Sequence, residues 1–300
     1  MNYAIIDVGS NTVKMTLYAA DKMLIKKYSH PTALLSYVKD SALTPIGVQR
    51  LISTLADFQS KAKKQENTAL FAYATASLRG LSNQDEVTAA IRDALGIEIC
   101  VVSGEEEAGL SFDGIAEASG YDPYENTVFD IGGGSLEVIT QENGSFTAHS
   151  FPVGALRMHL AFVKNVLPTK DELSAIYHHV QHLAEEKKLV KNRGEALAVG
   201  GSLRALSHIL AHQSGMHYDE NKPYPVTRED AVAFLKAIAT ADQKTKLLLL
   251  DLEPKRIHTI PTGLCAFLAL LDLTEHQAFT VVSGGTREGY LNRIIKKETV

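Results

Sequence analysis

Two short segments of this sequence place an aspartate directly before a glycine turn. They are Asp7-Val8-Gly9-Ser10-Asn11 and Asp130-Ile131-Gly132-Gly133-Gly134-Ser135. Glycine lets backbone N–H groups approach an anion closely, and successive N–H groups in such a turn form an anion-binding nest. An aspartate repels phosphate but can engage it through Mg²⁺, which binds carboxylates, waters and phosphate oxygens. The two segments together predict a site for phosphate and Mg²⁺, with Mn²⁺ as a substitute, although one such turn alone is more simply the end of a strand.

The surroundings of the two aspartates indicate an internal repeat. Asp7 and Asp130 stand 123 positions apart, and each lies between an apolar strand and a glycine turn that leads into a second strand. Strands and helices alternate along the chain, which is typical of α/β proteins. We expect a duplicated α/β domain with a cleft between its halves, residues 1–125 and 126–286. A last helix over about residues 287–300 is expected to pack back on the first half.

A run of glutamates opens another predicted helix. The segment reads Ser103-Gly104-Glu105-Glu106-Glu107, and Ser103 with Glu106 forms a capping box. Acidic residues suit the positive end of the helix dipole, and this alone would explain the run. The functional alternative is that one glutamate acts as a general base toward water. Because neighbouring helical residues point about 100° apart, the three cannot all face one site.

Three further features bear on phosphate binding. A strand followed by Gly200-Gly201-Ser202 repeats the strand-and-glycine pattern, so Gly201 and Ser202 are predicted phosphate contacts. Arg79 follows a predicted strand, where its guanidinium could fork onto a phosphate or simply lie at the surface. The histidines, including the His208 and His212 pair, lack a metal-site motif and are predicted to lie on helix surfaces.

Composition narrows the class of protein. The 300 residues carry a formal net charge of −5, which disfavours a surface for nucleic acid. No apolar run reaches the roughly 18–20 residues of a membrane span, and the N-terminus lacks the pattern of a secretory signal. Cys100 and Cys265 lie in apolar runs and are predicted to be buried free thiols, so a cytoplasmic location is expected.

These segments together resemble the exopolyphosphatase / guanosine pentaphosphate phosphatase family in its short, two-domain form. The resemblance runs along nearly the whole chain, and the combination of Ser103-Gly104-Glu105-Glu106-Glu107-Ala108 with the second glycine loop is specific to it. It also covers Gly154-Ala155-Leu156-Arg157 and Ser283-Gly284-Gly285-Thr286-Arg287-Glu288-Gly289. The family implies duplicated actin-like (ribonuclease H-like) domains, Mg²⁺, and hydrolysis of terminal phosphoanhydrides of inorganic polyphosphate or pppGpp.

The resemblance also implies residue roles. Glu107 resembles the water-activating base, and the metal ligands would be Asp130 and Glu137, assisted by Asp7. The implied phosphate contacts, together with those proposed from the loops themselves, are Ser10, Asn11, Lys14, Arg79, Gly132, Gly133, Gly134 and Ser135. One departure is that residues 29–35 carry no arginine where family members often have an arginine-rich stretch.

Two other functions remain open at this point. A small-molecule kinase of the same superfold would need ATP and an acceptor, and the glutamate-rich helix start disfavours it. A sensor that binds pppGpp or polyphosphate without cleaving it would not need Glu107, Asp130 and Glu137. Polyphosphate and pppGpp are equally compatible with the sequence as substrates, and a homodimer is possible.

Overall fold

A computed structural model describes residues 1–142, 145–191, 193–240 and 242–298. The last two residues of the helix predicted over 287–300 lie outside these ranges. The chain forms two compact units. The first comprises Met1–Glu107 and the C-terminal segment from Tyr290 onward, and the second comprises Ala108–Gly289.

The first unit is built on a five-stranded sheet in the order β3-β2-β1-β6-β7. Strand β2 runs antiparallel to both of its neighbours, β1 and β3, whereas β6 and β7 run parallel to β1. Its elements, up to the helix that leads into the second unit, are β1 Asn2–Val8, β2 Val13–Tyr18, β3 Leu24–His30, β4 Val38–Lys39, β5 Ala42–Leu43, α1 Pro45–Lys63, β6 Thr68–Ala74, α2 Gln84–Leu95, β7 Ile99–Val101 and α3 Gly104–Ala118.

The second unit repeats this topology. Its sheet has the order β10-β9-β8-β11-β13-β12, in which β12 is an additional antiparallel strand at the edge. Its elements and the C-terminal helix are β8 Thr127–Ile131, β9 Leu136–Glu142, β10 Ser145–Phe151, α4 Ala155–Phe162, α5 Lys170–Glu185, β11 Ala196–Gly200, α6 Gly201–Gln213, β12 Tyr224–Thr227, α7 Arg228–Ala239, α8 Gln243–Leu252, α9 Thr259–Leu273, β13 Ala278–Val281 and α10 Thr286–Glu298. Short 3₁₀ helices lie at Leu34–Tyr37, Pro123–Glu125 and Pro254–Arg256.

Apolar side chains cover both faces of the second sheet. On one face, Phe129 packs edge-on against Phe267 of α9, which is buried along almost its whole length. On the other face, Val128 packs with Phe112 and Ile115 of α3. Because side chains alternate along a strand, Asp130 shares the α3 face with Val128. The sheet therefore presents Asp130 toward the helix α3.

The division between the units differs from the predicted boundary near residue 125. It falls between Glu107 and Ala108, inside α3, which runs unbroken from Gly104 to Ala118. A continuous helix carries no turn or linker signal, so this division leaves no mark in the composition.

Residues 31–44 contain a 3₁₀ turn and the two-residue strands β4 and β5. Asp40 and Ser41 turn this hairpin with positive φ of 49° and 62°. Strands of two residues are too short to show an alternating pattern.

The two cysteines were predicted to be buried free thiols. This prediction is wrong for Cys100, which is exposed, whereas Cys265 is buried as expected. Cys100 lies on the short edge strand β7, where alternation turns its side chain outward.

Candidate active site

Asp130 and Glu137 are neighbours in the second sheet. They are directly opposed in the antiparallel β8–β9 ladder, and side chains opposed in this way lie on the same face with Cβ atoms about 4.5–5.5 Å apart. Glu137 is only 1% exposed, and its Oε1 accepts a hydrogen bond from Ser150 Oγ at 2.7 Å. Two predicted metal ligands are therefore brought together as adjacent carboxylates.

The carboxylate of Asp130 is held on one side only. Its Oδ2 accepts hydrogen bonds from Ser111 Oγ at 2.6 Å and from Thr286 Oγ1 at 3.2 Å. Within the described ranges, Oδ1 has no hydrogen bond or ion pair. Ser111 was not singled out from the sequence, because a hydroxyl residue within a helix carries no recognisable motif. Thr286 was noted only as part of the segment of residues 283–289, without a role of its own.

The loop from Gly132 to Ser135 turns its carbonyl groups toward α4. The Gly132 and Gly133 carbonyls accept from amides in the first turn of α4, and Arg157 Nε donates to the Gly134 carbonyl at 2.8 Å. The amides of Gly133, Gly134 and Ser135 have no acceptor among the residues that the structure describes. Three successive unpaired N–H groups in a glycine turn are the donors that an anion nest requires.

Gly154 allows this loop to lie against the start of α4. A Cβ at Gly154 would stand 2.4 Å from the Ser135 amide nitrogen and 2.5 Å from the carbonyl carbon of Gly133. No side chain fits there without moving the loop. The Gly154-Ala155-Leu156-Arg157 segment thus has a physical role that its sequence did not reveal.

The second glycine pair lies beside this loop. Gly200 ends β11 opposite Ile131 of β8, and α6 begins at Gly201. The Ser202 hydroxyl is buried and donates to the Thr259 carbonyl at 3.2 Å, so its side chain is committed to the helix packing. The Arg256 guanidinium lies 2.4 Å from where a Cβ of Gly201 would be. Sequence reasoning missed Arg256, which lies in a short 3₁₀ turn without a motif.

The glycine loop of the first unit has a parallel construction. Asp7 and Lys14 are opposed in the β1–β2 ladder, as Asp130 and Glu137 are in the second unit. Ser10 is buried, and the carbonyls of Ser10 and Asn11 accept from the amides of Leu35 and Ala33. The arginine-free segment at residues 29–35 therefore packs against this loop through its main chain. The position opposite the aspartate is thus a lysine, Lys14, in the first unit and a glutamate, Glu137, in the second.

Glu107 and Arg79 form an ion pair within the first unit. Arg79 Nη1 lies 2.7 Å from Glu107 Oε2 and also donates to the Val102 carbonyl at 3.3 Å. The segment that carries Arg79 is tied to the first glycine loop, because Ser77 Oγ donates to the Val8 carbonyl. The predicted base and a predicted phosphate contact are thus joined directly.

Of the three glutamates that open α3, only Glu107 is buried. Glu106 completes the predicted capping box, accepting from the Ser103 amide at 2.9 Å while its own amide donates to Ser103 Oγ at 3.1 Å. That amide bond holds the pKa of Glu106 below its usual range, and Arg293 Nη1 at 3.3 Å adds to the effect. The capping box fixes the first helical turn and thereby the direction in which Glu107 points.

A divalent cation fits the donor set of the second unit. Mg²⁺ is usually held by one or two carboxylates together with waters and substrate phosphates. Asp130 and Glu137 supply that number, and the loop with the unpaired amides connects the two strands that carry them. Among the described residues there is no cluster of three or more acidic, histidine or cysteine side chains, so a closed metal cage is not built there.

The remaining predictions concern histidines and membranes. His212 is exposed on α6, as predicted, whereas His208 is half-buried on the same helix, with its Nδ1 2.9 Å from Glu253 Oε1. In the described part of the chain, no helix is both long enough and apolar enough to cross a bilayer.

Residues 26–298 match the sequence model of the Ppx/GppA phosphatase family. Exopolyphosphatase 1 of Mycobacterium tuberculosis is 25% identical over 99% of this chain and 89% of that protein. The guanosine-5'-triphosphate,3'-diphosphate pyrophosphatase of Vibrio vulnificus is 30% identical over 96% of this chain, which spans 58% of that protein.

Solved structures share the fold. The exopolyphosphatase from Cytophaga hutchinsonii superposes with a TM-score of 0.84 at 18% identity, covering 99% of this chain and 98% of that one. The Aquifex aeolicus member of the Ppx/GppA family superposes with a TM-score of 0.79 at 22% identity, covering 100% and 99%. Together with the two sheets of matching topology, they confirm the predicted duplicated α/β fold of the actin-like type.

Proposed function

Because the chain belongs to the Ppx/GppA phosphatase family, we propose that it releases the terminal phosphate of inorganic polyphosphate, of pppGpp, or of both. The bond broken would be the terminal phosphoanhydride, and water would supply the incoming oxygen. Relatives named for each of these activities support this substrate class.

The observation that carries the proposal is the pairing of Asp130 with Glu137 next to three unpaired amides. The carboxylates supply ligands for a cation, and the amides of Gly133, Gly134 and Ser135 supply donors for phosphate oxygens. Neither group alone binds a phosphate well in this position, because the carboxylates repel an anion that lacks a cation between them. Together they suit a phosphate that arrives with a divalent cation.

Mg²⁺, or Mn²⁺ in its place, would be held by Asp130 and Glu137, with Asp7 assisting, and would neutralise charge on the phosphate oxygens when bound. The loop amides would hold the terminal phosphate through hydrogen bonds that strengthen as charge develops on its oxygens. From the first unit, Lys14 and the Ser10–Asn11 turn would hold the next phosphates of the chain.

Glu107 would orient the attacking water and accept its proton. Arg79 holds the carboxylate of Glu107 by a charge-assisted bond, which fixes its direction. The released products are inorganic phosphate and a chain shortened by one phosphate, or ppGpp.

Parallel phosphate-release assays test this function. Long polyphosphate, short polyphosphate and pppGpp should be compared with and without Mg²⁺, and in water enriched in ¹⁸O. The proposal expects Mg²⁺-dependent release from at least one of the three, with one ¹⁸O atom in each released phosphate. Binding without release would favour a sensor, and phosphate loss that depends on an acceptor would favour a kinase.

A further inference from the structure

Two hydroxyl groups on different helices meet at one oxygen of Asp130. Ser111 lies in α3 and is fully buried, and Thr286 is the first residue of α10. Both hydroxyls reach Oδ2, at 2.6 Å and 3.2 Å, and no described group bonds Oδ1. The carboxylate is therefore fixed on one side and open on the other.

Glycines allow the two hydroxyls to come this close. A Cβ at Gly289 would lie 1.9 Å from the Leu110 carbonyl oxygen, and a Cβ at Gly114 would lie 2.0 Å from the Gly285 carbonyl oxygen. The Ala108–Ala118 part of α3 and the Gly284–Gly289 segment thus pack backbone to backbone. This contact lies wholly within the second unit and holds Ser111 and Thr286 on either side of Asp130.

We propose that Ser111 and Thr286 are positioning residues, which hold Oδ2 of Asp130 so that Oδ1 is presented to a divalent cation. The inference rests on the cation of the proposed function. Both hydroxyls are neutral, so they orient the carboxylate without competing with a cation for its charge. Ser150 holds Oε1 of Glu137 in the same way, so each carboxylate of the pair has one oxygen bonded by a serine.

The test measures Mn²⁺ binding to the full chain without substrate, by electron paramagnetic resonance, with Mg²⁺ as competitor. The variants are Ser111→Ala, Thr286→Val and Thr286→Ser. Loss of a group that orients a metal ligand commonly costs about 10–100-fold in metal affinity. We expect Ser111→Ala and Thr286→Val to weaken Mn²⁺ binding in this range, whereas Thr286→Ser keeps the hydroxyl and should bind like the parent protein.

Ser207→Ala is the matched control. The Ser207 hydroxyl is also fully buried in the second unit, but among the described residues it bonds only the Leu203 carbonyl of its own helix, at 3.1 Å. It should leave Mn²⁺ affinity unchanged. If Ser111→Ala does not fold, Thr286→Val against Thr286→Ser decides, because the first removes the hydroxyl at this half-buried position and the second keeps it. Parent-like Mn²⁺ affinity in a folded Thr286→Val variant would overturn the proposal. Mn²⁺ binding that is unchanged in an Asp130→Asn variant would also overturn it.

The outcome is separable from that of the proposed function. If the parent binds Mn²⁺ through Asp130 and the variants weaken it, the positioning role stands even when no phosphate is released. If the parent releases phosphate with Mg²⁺ but all variants bind Mn²⁺ equally, the positioning role fails and the function stands. In the phosphate-release assay, the variants should raise the Mg²⁺ concentration for half-maximal activity while the KM for polyphosphate at saturating Mg²⁺ changes little.

Discussion

Arg79 and Glu107 are joined by an ion pair whose nitrogen and oxygen lie 2.7 Å apart. The carboxylate end of the pair is almost fully buried, and the arginine also reaches the Val102 carbonyl. Sequence reasoning gave these two residues separate tasks, with Glu107 toward water and Arg79 toward phosphate. The structure shows that Arg79 also fixes the carboxylate, so a change at either residue alters the other.

Arg79→Lys should therefore lower kcat more than charge conservation suggests. A lysine keeps the charge, but its ammonium is a point charge on a flexible stem, whereas the planar guanidinium holds its donor nitrogens in a fixed orientation. Because small displacements of a catalytic group can cost up to about 100-fold, we expect a kcat roughly 10–100-fold below the parent. Steady-state phosphate release measures it. Arg92→Lys, on the exposed face of α2, is the control and should leave kcat unchanged. Parent-like kcat in Arg79→Lys would show that the pair does not orient Glu107.

Gly154→Ala should disturb the phosphate loop without touching a ligand. The new Cβ would collide with the Ser135 amide, which would bind phosphate under the proposed function, and forcing atoms into a packed site typically costs about 1–3 kcal/mol. We expect a lower thermal midpoint and a higher KM for polyphosphate. Gly109→Ala, where a Cβ meets nothing within 4 Å, should instead be neutral or stabilising by roughly 0.5–1 kcal/mol. Equal effects of the two substitutions would exclude the close contact as the cause.

The similarity between the two aspartate-and-glycine segments was enough to predict the duplicated α/β fold. Asp130 and Glu137 each lie 123 positions after their counterparts, Asp7 and Lys14, and each pair is directly opposed in its strand ladder. The internal repeat therefore includes the register of the strands that carry these side chains. The start of α3 could be predicted because the Ser103–Glu106 capping box is a local signal. Helix α9 could not, since it is apolar on every face and shows no helical period.

The missed parts of the site arise from contacts that are distant in sequence. Ser111, Asp130 and Thr286 meet only after the chain folds, and Arg256 reaches Gly201 from a turn 55 positions away. These hydroxyl and guanidinium groups belong to the site because of where the folded chain places them, and no local sequence pattern marks them. Glycines such as Gly154 were visible as landmarks, but their role depends on which backbone lies opposite.

The capping box leads us to expect that the thermal stability of the protein depends on pH through Glu106. The Ser103 amide, with Arg293, holds the folded-state pKa of Glu106 below the ordinary value of 4.5. A depressed carboxyl pKa stabilises the folded protein above the unfolded-state pKa, and the benefit is lost as pH falls through the folded-state pKa. The parent should therefore melt at a higher temperature than Glu106→Gln at pH 6–7 (about two units above that pKa), and the difference should shrink below about pH 4.5.

Thermal midpoints measured across this range, on parent and variant in the same buffers, check the sign. A difference that stays constant down to pH 3, roughly a unit or more below the ordinary carboxyl pKa, would show that the ionised form of Glu106 contributes nothing.

In the proposed hydrolysis, Glu107 is the group that activates water. The direct measurement is kcat for phosphate release by Glu107→Gln at saturating Mg²⁺, on whichever substrate the parent cleaves best. Glu105→Gln, a change at an exposed neighbour in the same helical turn, is the control. Removal of a positioned base commonly costs about 10²–10⁴ in rate, so a fall of that size is predicted for the folded variant, with an active control. Turnover near that of the parent in a folded Glu107→Gln variant would contradict the account.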